Sequence, residues 1–284
     1  MSRCSLLVLI ATSACGRVGF DPIDGSVPDA ACTLGPWSPA RSVTELVMGS
    51  SVLGAQISPD GLELFFGSDA AGTGLDLYQT SRTSRTEAFA TPTQLTVLAA
   101  PNYDHNPTVT GDGLELWFSS NRTGTRCLYR TTRSNRTAPW SAPMAVLQFC
   151  GGVDYDGVYL SPDALTLVYT SEARTFLSTR ASLMDAFTPG RELSEIVFPS
   201  GWGFAVLSDD QRTIYFEVYN NPERVAIWQA TRATTDALFG PPMRVPVDIA
   251  GEDVSITADG RELYFSAGPV GGRIDIYVTT RDCE

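Results

Sequence analysis

The only histidine of the chain, His105, stands in the run Tyr103-Asp104-His105-Asn106. Three more short stretches set acids among aromatics or glycines: Asp154-Tyr155-Asp156, Trp202 between glycines, and Glu252-Asp253. Carboxylates beside aromatic platforms can bind a sugar, a cation or a basic peptide. The binding set read from sequence is therefore Tyr103, Asp104, His105, Asp154, Tyr155, Asp156, Trp202, Glu252 and Asp253. A Ser–His–Asp triad would have to use His105, and no Gly-x-Ser-x-Gly elbow accompanies it, so no catalytic residue is assigned. Asp154-Tyr155-Asp156-Gly157 has a fragment of calcium-loop spacing but lacks the downstream bidentate glutamate, so no metal is assigned.

Composition removes other chemistries. All 20 basic residues are arginine, which excludes a Schiff-base lysine and a phosphate-loop lysine. A zinc site built on two histidines is excluded by count. The net charge of −12 argues against sequence-independent nucleic-acid binding, which needs a basic surface. No cofactor is expected.

The elements that must position these residues recur along the chain. Aspartates at 60, 112, 163, 210 and 259 are spaced by 52, 51, 47 and 49 residues. Arginines at 82, 133, 180, 232 and 281 keep the same phase. An aromatic precedes each arginine by four residues, and another (Phe89, Trp140, Phe187, Phe239) follows the first four by seven. Within a unit, Leu62 to Phe66, Leu114 to Phe118 and Glu262 to Phe265 alternate with period two, as strands do. Asp60-Gly61, Asp112-Gly113 and Asp259-Gly260 are hairpin turns; Asp163-Ala164 and Asp210-Gln211 predict slightly different ones. A period near fifty with four strands per unit is the signature of a β-propeller.

Ser58-Pro59-Asp60-Gly61-Leu62-Glu63-Leu64-Phe65-Phe66, followed by Leu75-Asp76-Leu77-Tyr78, resembles the WD40-like repeat of TolB-type propellers, over about residues 36–281. TolB-type propellers have six blades and five units are counted here, so the chain is not TolB itself. The resemblance implies an all-β, five-bladed propeller of four-stranded blades, with strand A before each Asp-Gly turn and strand D starting at the second aromatic. The last unit lacks a strand D, and Pro36-Trp37-Ser38-Pro39 matches Trp140-Ser141-Ala142-Pro143. The N-terminal segment is therefore expected to complete the last blade and remove its open edge.

In that frame Cys283 lies two residues after Arg281 and Cys32 five before Trp37, bracketing the missing C–D hairpin. A Cys32–Cys283 disulfide is expected, which implies an oxidising compartment. A second bridge, Cys127–Cys150, is expected between loops on one face, although its register is about four residues from direct pairing. Residues 1–14 read as a signal peptide, and Ala11-Thr12-Ser13-Ala14-Cys15 resembles the bacterial lipoprotein box, with Thr12 where leucine is usual. That resemblance implies lipid on Cys15; an ordinary signal peptide cut nearby is the alternative. Residues 15–31, rich in Gly, Pro, Asp and Ser, read as a tether, and 32–284 as the propeller.

The expected function is a non-catalytic, monomeric lipoprotein scaffold of the bacterial cell envelope. It would be held by Cys15, with the outer membrane suggested by Gly16, and would bind an envelope protein or glycan at one propeller face. Two alternatives stand beside it. One is a five-bladed glycoside hydrolase with Asp104, Asp156 and Glu252 or Asp253 at the channel mouth; the other is an assembly protein with no small ligand.

Overall fold

The computed structural model describes residues 32–48, 50–72, 74–101, 103–196, 203–218, 226–269 and 272–284. Cys15 and Trp202 lie outside them. Leu34–Glu284 carries five antiparallel sheets of four strands each, a five-bladed β-propeller. Blade one is β2 (Val52–Ile57), β3 (Glu63–Ser68), β4 (Asp76–Ser81) and β5 (Thr93–Gln94). Blade two is β6 (Asp104–Val109), β7 (Glu115–Thr123), β8 (Thr125–Thr132) and β9 (Met144–Ala145). Blade three is β10 (Tyr155–Leu160), β11 (Thr166–Ser171), β12 (Arg174–Thr179) and β13 (Arg191–Glu192). Blade four is β14 (Ala205–Leu207), β15 (Thr213–Val218), β16 (Ala226–Thr231) and β17 (Met243–Arg244). Blade five is β18 (Glu252–Ile256), β19 (Glu262–Ala267) and β20 (Asp275–Thr280), completed by β1 (Arg41–Ser42) from the chain start.

The ring closes where the repeat alignment puts it. Arg41 pairs with Val278 and Ser42 with Tyr277, so β20 has no open edge. Trp37 takes the aromatic place of the fifth unit: the Arg281 guanidinium lies 4.1 Å from its ring centroid. In the other four blades the equivalent distances are 4.6 Å (Arg82–Phe89), 4.3 Å (Arg133–Trp140), 4.6 Å (Arg180–Phe187) and 4.5 Å (Arg232–Phe239). Each of the five arginines also donates its Nε–H to the carbonyl of the residue after the turn aspartate. One side chain thus ties the A–B turn of a blade to its C–D connection.

Between blades the arginines do more. Arg133 Nη2 meets both carboxylate oxygens of Glu63 on the preceding blade at 2.8 and 2.7 Å. Arg82 Nη2 meets Glu262 Oε2 at 2.6 Å in the same way. All four side chains are nearly out of solvent.

The turns correct one expectation. Ala164 and Gln211 hold φ of 58° and 57°, the same left-handed backbone as Gly61 and Gly113 at 77° and 74°. The turn does not change when glycine is absent, because the aspartate enforces it. Asp163 Oδ1 accepts from Ser161 Oγ at 2.6 Å and from the Leu165 N–H at 3.0 Å, and Asp210 does the same with Ser208 and Arg212. These bonds offset the roughly 1–2 kcal/mol that a non-glycine residue loses there.

Cys127 and Cys150 are joined, with Cα atoms 4.5 Å apart. The D–A segment supplying Cys150 returns alongside β8, so the loop offset read from sequence does not separate them. Cys32 and Cys283 are each disulfide-bonded.

Candidate functional site

Six residues before the turn aspartates stand Gly54, Asn106, Gly157 and Asp253, on strand A, and Phe204, just before it in blade four. Four of these have a left-handed backbone: φ is 63°, 50°, 50° and 54° at Gly54, Asn106, Gly157 and Asp253. At each of the four the A–B register shifts, between Leu53 and Gln56, His105 and Thr108, Asp156 and Tyr159, and Glu252 and Ser255. A bulge lets two consecutive residues of one strand turn to the channel where an ideal strand would turn one. This is why His105 with Asn106, Asp156 with Gly157, and Glu252 with Asp253 all line one cavity of about 370 Å³ at the wide end of the channel.

The bulges are stitched to one another across blades. Asp253 Oδ2 accepts the Gly54 N–H at 2.9 Å, joining blades five and one. A Cβ on Gly54 would sit 2.9 Å from Asn106 Oδ1 and 3.3 Å from the Asn106 backbone N, on a left-handed backbone that favours glycine. Asn106 Nδ2 donates to Asp156 Oδ1 at 3.1 Å, joining blades two and three. Asp156 Oδ1 also accepts the Gly157 N–H at 2.9 Å and lies 3.4 Å from His105 Nε2, while its Oδ2 is ion-paired with Arg126. Blade four differs. Glu217, on β15, sends Oε1 to the Phe204 N–H at 3.1 Å and Oε2 to the Asp253 N–H at 2.6 Å, filling the gap between blades four and five. Burial, reinforced by the Asp253 charge, holds the Glu217 carboxyl well above the usual carboxylate range. Burial likewise raises Asp253, against the opposing pull of the Gly54 N–H.

Of the sequence-read set, His105, Asp156, Glu252 and Asp253 meet in this cavity. Asp104 does not. It is fully buried within its own blade, with Oδ1 2.8 Å from Arg122 Nη2 and Oδ2 accepting the Ala100 N–H at 3.0 Å. Burial raises its carboxyl too, against those bonds. Tyr155 packs inward on Phe149 and Tyr169, with ring centroids 5.7 Å from each. Tyr103 is exposed and its N–H bonds Asn121 Oδ1. Asp154 Oδ1 caps the Arg126 N–H at 2.8 Å.

The cavity residues outside that set include Asn106, Arg126 and Glu217, whose side chains bond across blades. Glu217 carried a signal. Seven residues past the turn aspartates stand Gly67, Ser119, Thr170, Glu217 and Ser266, so one large acid breaks a column of small residues. Arg126 comes from the β7–β8 hairpin, which has the longest strands among the described residues and reaches blade three. Among the described residues no group of three or more His, Cys, Asp or Glu side chains is arranged to hold a metal.

No protein-family model matches the sequence, and no curated protein matches it. Solved structures are similar in fold. A GH62 hydrolase in complex with xylotriose aligns with a TM-score of 0.59 at 10% identity, over 81% of this chain and 91% of that one. An endo-arabinase from Bacteroides thetaiotaomicron aligns at 0.56 and 14%, over 83% and 95%. TolB from Acinetobacter baumannii aligns at 0.50 and 15%, over 83% of this chain but 56% of that one. The chain thus spans about half of that TolB. At these identities the likeness is one of fold: a β-propeller shared with TolB proteins and with glycoside hydrolases.

Proposed function

We propose that this protein is a non-catalytic binding propeller of the cell envelope that takes a glycan or a protein segment in the wide mouth of its channel. One observation carries the reading. The mouth is a pre-formed cavity of about 370 Å³ in which the Asp156, Glu217 and Asp253 carboxyls are engaged in holding the ring together. Such a volume lies within the range of small-ligand sites. Both oxygens of Glu217 accept backbone N–H groups, and Asp156 is clamped by Arg126, Asn106 and its own bulge. A general acid or base needs an oxygen directed at substrate; a binding wall needs polar groups held still. Export is supported by the Cys127–Cys150 bridge and by the disulfide-bonded state of Cys32 and Cys283. Attachment to the outer membrane through lipid on Cys15 completes the reading.

A second reading, a glycoside hydrolase, is favoured by one feature. Glu217 is a buried carboxyl held above its ordinary range on a different blade from Asp156, and raised acids serve as proton donors to leaving groups. The fold-level likeness to a GH62 hydrolase and an endo-arabinase raises the same possibility.

A glycan-and-peptide array on the exported protein separates the two, run with Asp156→Ala, Asp253→Ala and, as a control inside the blade, Asp104→Asn. Binding that is lost with the first two changes, kept with the third and accompanied by no product from aryl arabinofuranosides or xylosides supports the binding propeller. An unchanged catch in all variants refutes the mouth as the site. Product release abolished by Glu217→Gln would make the protein a hydrolase.

A further inference from the structure

The opposite face of the ring carries the A–B turns and C–D connections, and there the repeat sets its own standard for charge. In blade two, three residues after the repeat arginine, Arg136 reaches back to the turn Asp60 of blade one at 2.5 Å. In blade one, Arg85 reaches Asp259 of blade five in the same way. Two turn aspartates are thereby neutralised. Burial works against Asp60 and Asp259, but their hydrogen bonds and these arginines hold both carboxyls below the usual range.

The column then changes. Leu183 stands in blade three and Thr235 in blade four where the arginines stood. The repeat sets Leu183 opposite Asp112 and Thr235 opposite Asp163, and both aspartates are exposed. Next to Asp163 and Asp210, partial burial and the two neighbouring charges push Asp209 upward. In this sector Arg180 lies over Phe187 within reach of the Asp163 charge, Arg232 lies over Phe239, and Arg212 bonds the Ala233 carbonyl. On the same connections, apolar side chains point to water. Leu183 is 61% exposed, Met184 93% and, one blade on, Leu238 65%. Among the described residues, exposed aliphatic side chains here stand beside turn aspartates that lack the close arginine pair of Asp60 and Asp259, a surface open to apolar cover and to added positive charge.

We propose that this sector of blades three and four docks a partner protein through a segment that presents arginine or lysine beside aliphatic side chains, the partner's cations taking the places that Arg85 and Arg136 hold in blades one and two. The surface is separate from the wide-mouth cavity. It needs no occupant there.

The test restores the repeat's own arginines. The exported protein, Leu183→Arg, the Leu183→Arg/Thr235→Arg pair, and Met184→Ser are titrated by fluorescence anisotropy against three short peptides: arginine–leucine, glutamate–leucine and arginine–serine. The arginine–leucine peptide should bind at least about tenfold more tightly than either other peptide, a difference of about 1.4 kcal/mol. The arginine variants should weaken it by at least about tenfold, and Met184→Ser should weaken it without any change in charge. Thermal unfolding of the arginine variants should be unchanged or higher, because the new side chains meet Asp112 and Asp163. Asp156→Ala, in the cavity, should leave this binding intact. Equal binding of the glutamate–leucine peptide, or undiminished binding by the arginine variants, overturns the proposal. So does self-association of the unmodified protein that Leu183→Arg abolishes, since the occupant would then be a second copy.

Discussion

The buried carboxyls of the mouth should give this acidic protein a stability that falls as pH rises from about 4.5 toward neutrality. Glu217 and Asp253 both sit above their ordinary range, burial being the first cause in each. A carboxyl raised in the folded state binds its proton more tightly there than in the unfolded chain. Its contribution is therefore complete below the unfolded pKa and is lost as pH climbs through the folded one. Within that window each proton retained by the fold changes stability by up to about 1.4 kcal/mol per pH unit. Asp60 and Asp259 are lowered instead, so their contribution is present above their unfolded pKa, near 4, and disappears as pH falls below it. The two effects occupy different parts of the pH axis and can be separated. Glu217→Gln isolates the mouth. An amide can accept only one of the two backbone N–H groups that Glu217 now accepts, from Phe204 and Asp253. The variant should lose about 1–3 kcal/mol at pH 4.5, the penalty for one buried donor left unpaired. Because it has no proton to lose, the deficit should shrink as pH rises, and the two curves should approach each other. Urea midpoints taken at half-unit steps from pH 4 to 8 measure this directly. A wild-type protein whose stability is flat or rising between pH 4.5 and 7, or a variant with the same slope as wild type, would refute the reasoning.

Other consequences are quickly stated. Glu63→Leu strands the Arg133 guanidinium, whose side chain is 1% exposed, and should cost about 3–5 kcal/mol by urea denaturation; adding Arg133→Met should restore most of it. Glu172→Gln, which removes an exposed ion pair with Arg174, should change stability by no more than about 1 kcal/mol in the same assay. Peptide mapping without reductant should return a peptide linking Cys32 to Cys283, and a free thiol at either would remove the proposed clasp. Reducing Cys127–Cys150 should speed amide exchange at Arg126, whose N–H caps on Asp154, before it speeds exchange in β20; uniform acceleration across both would show that the bridge does not hold the hairpin.

The fold was legible in the sequence because each blade is a local unit written five times. Any column that packs the same way in every copy, such as the arginine and its aromatic, repeats with the period. The place of Trp37 against Arg281 followed from that alone, although the two are far apart in the chain. The cavity was legible only in part, because it is built from departures from the repeat. Asp104 and His105 are neighbours, and a loop reading treats them alike. In a strand they face opposite ways, Asp104 into its blade and His105 into the channel. The bulge at Asn106 then turns the following residue inward as well, and no local residue preference announces it. Arg126 arrives from a hairpin whose reach depends on strand length, which alternation does not measure.

Glu217 shows what a repeat can conceal. In blades two and five the bulge residue of strand A bonds the next blade, and in all four bulged blades the matching position on strand B holds glycine, serine or threonine, which leaves room for the bulge. In blade four the left-handed bulge is missing and Phe204 occupies its column. Without a substitute, the Phe204 and Asp253 N–H groups would be buried donors with no acceptor. The glutamate meets both, and the requirement that the ring close accounts for an acid at that depth with no appeal to catalysis. The same requirement fixes the cavity's asymmetry. Arg126, His105 and Asn106 come from blade two and face Asp156 of blade three, while Glu217 and Asp253 come from blades four and five, so a ligand entering the mouth meets donors gathered on one carboxylate on one side and carboxyls bonded to backbone N–H groups on the other. A ligand that exploited this polarity would have to bridge the channel, and binding would then tighten the ring that shaped it.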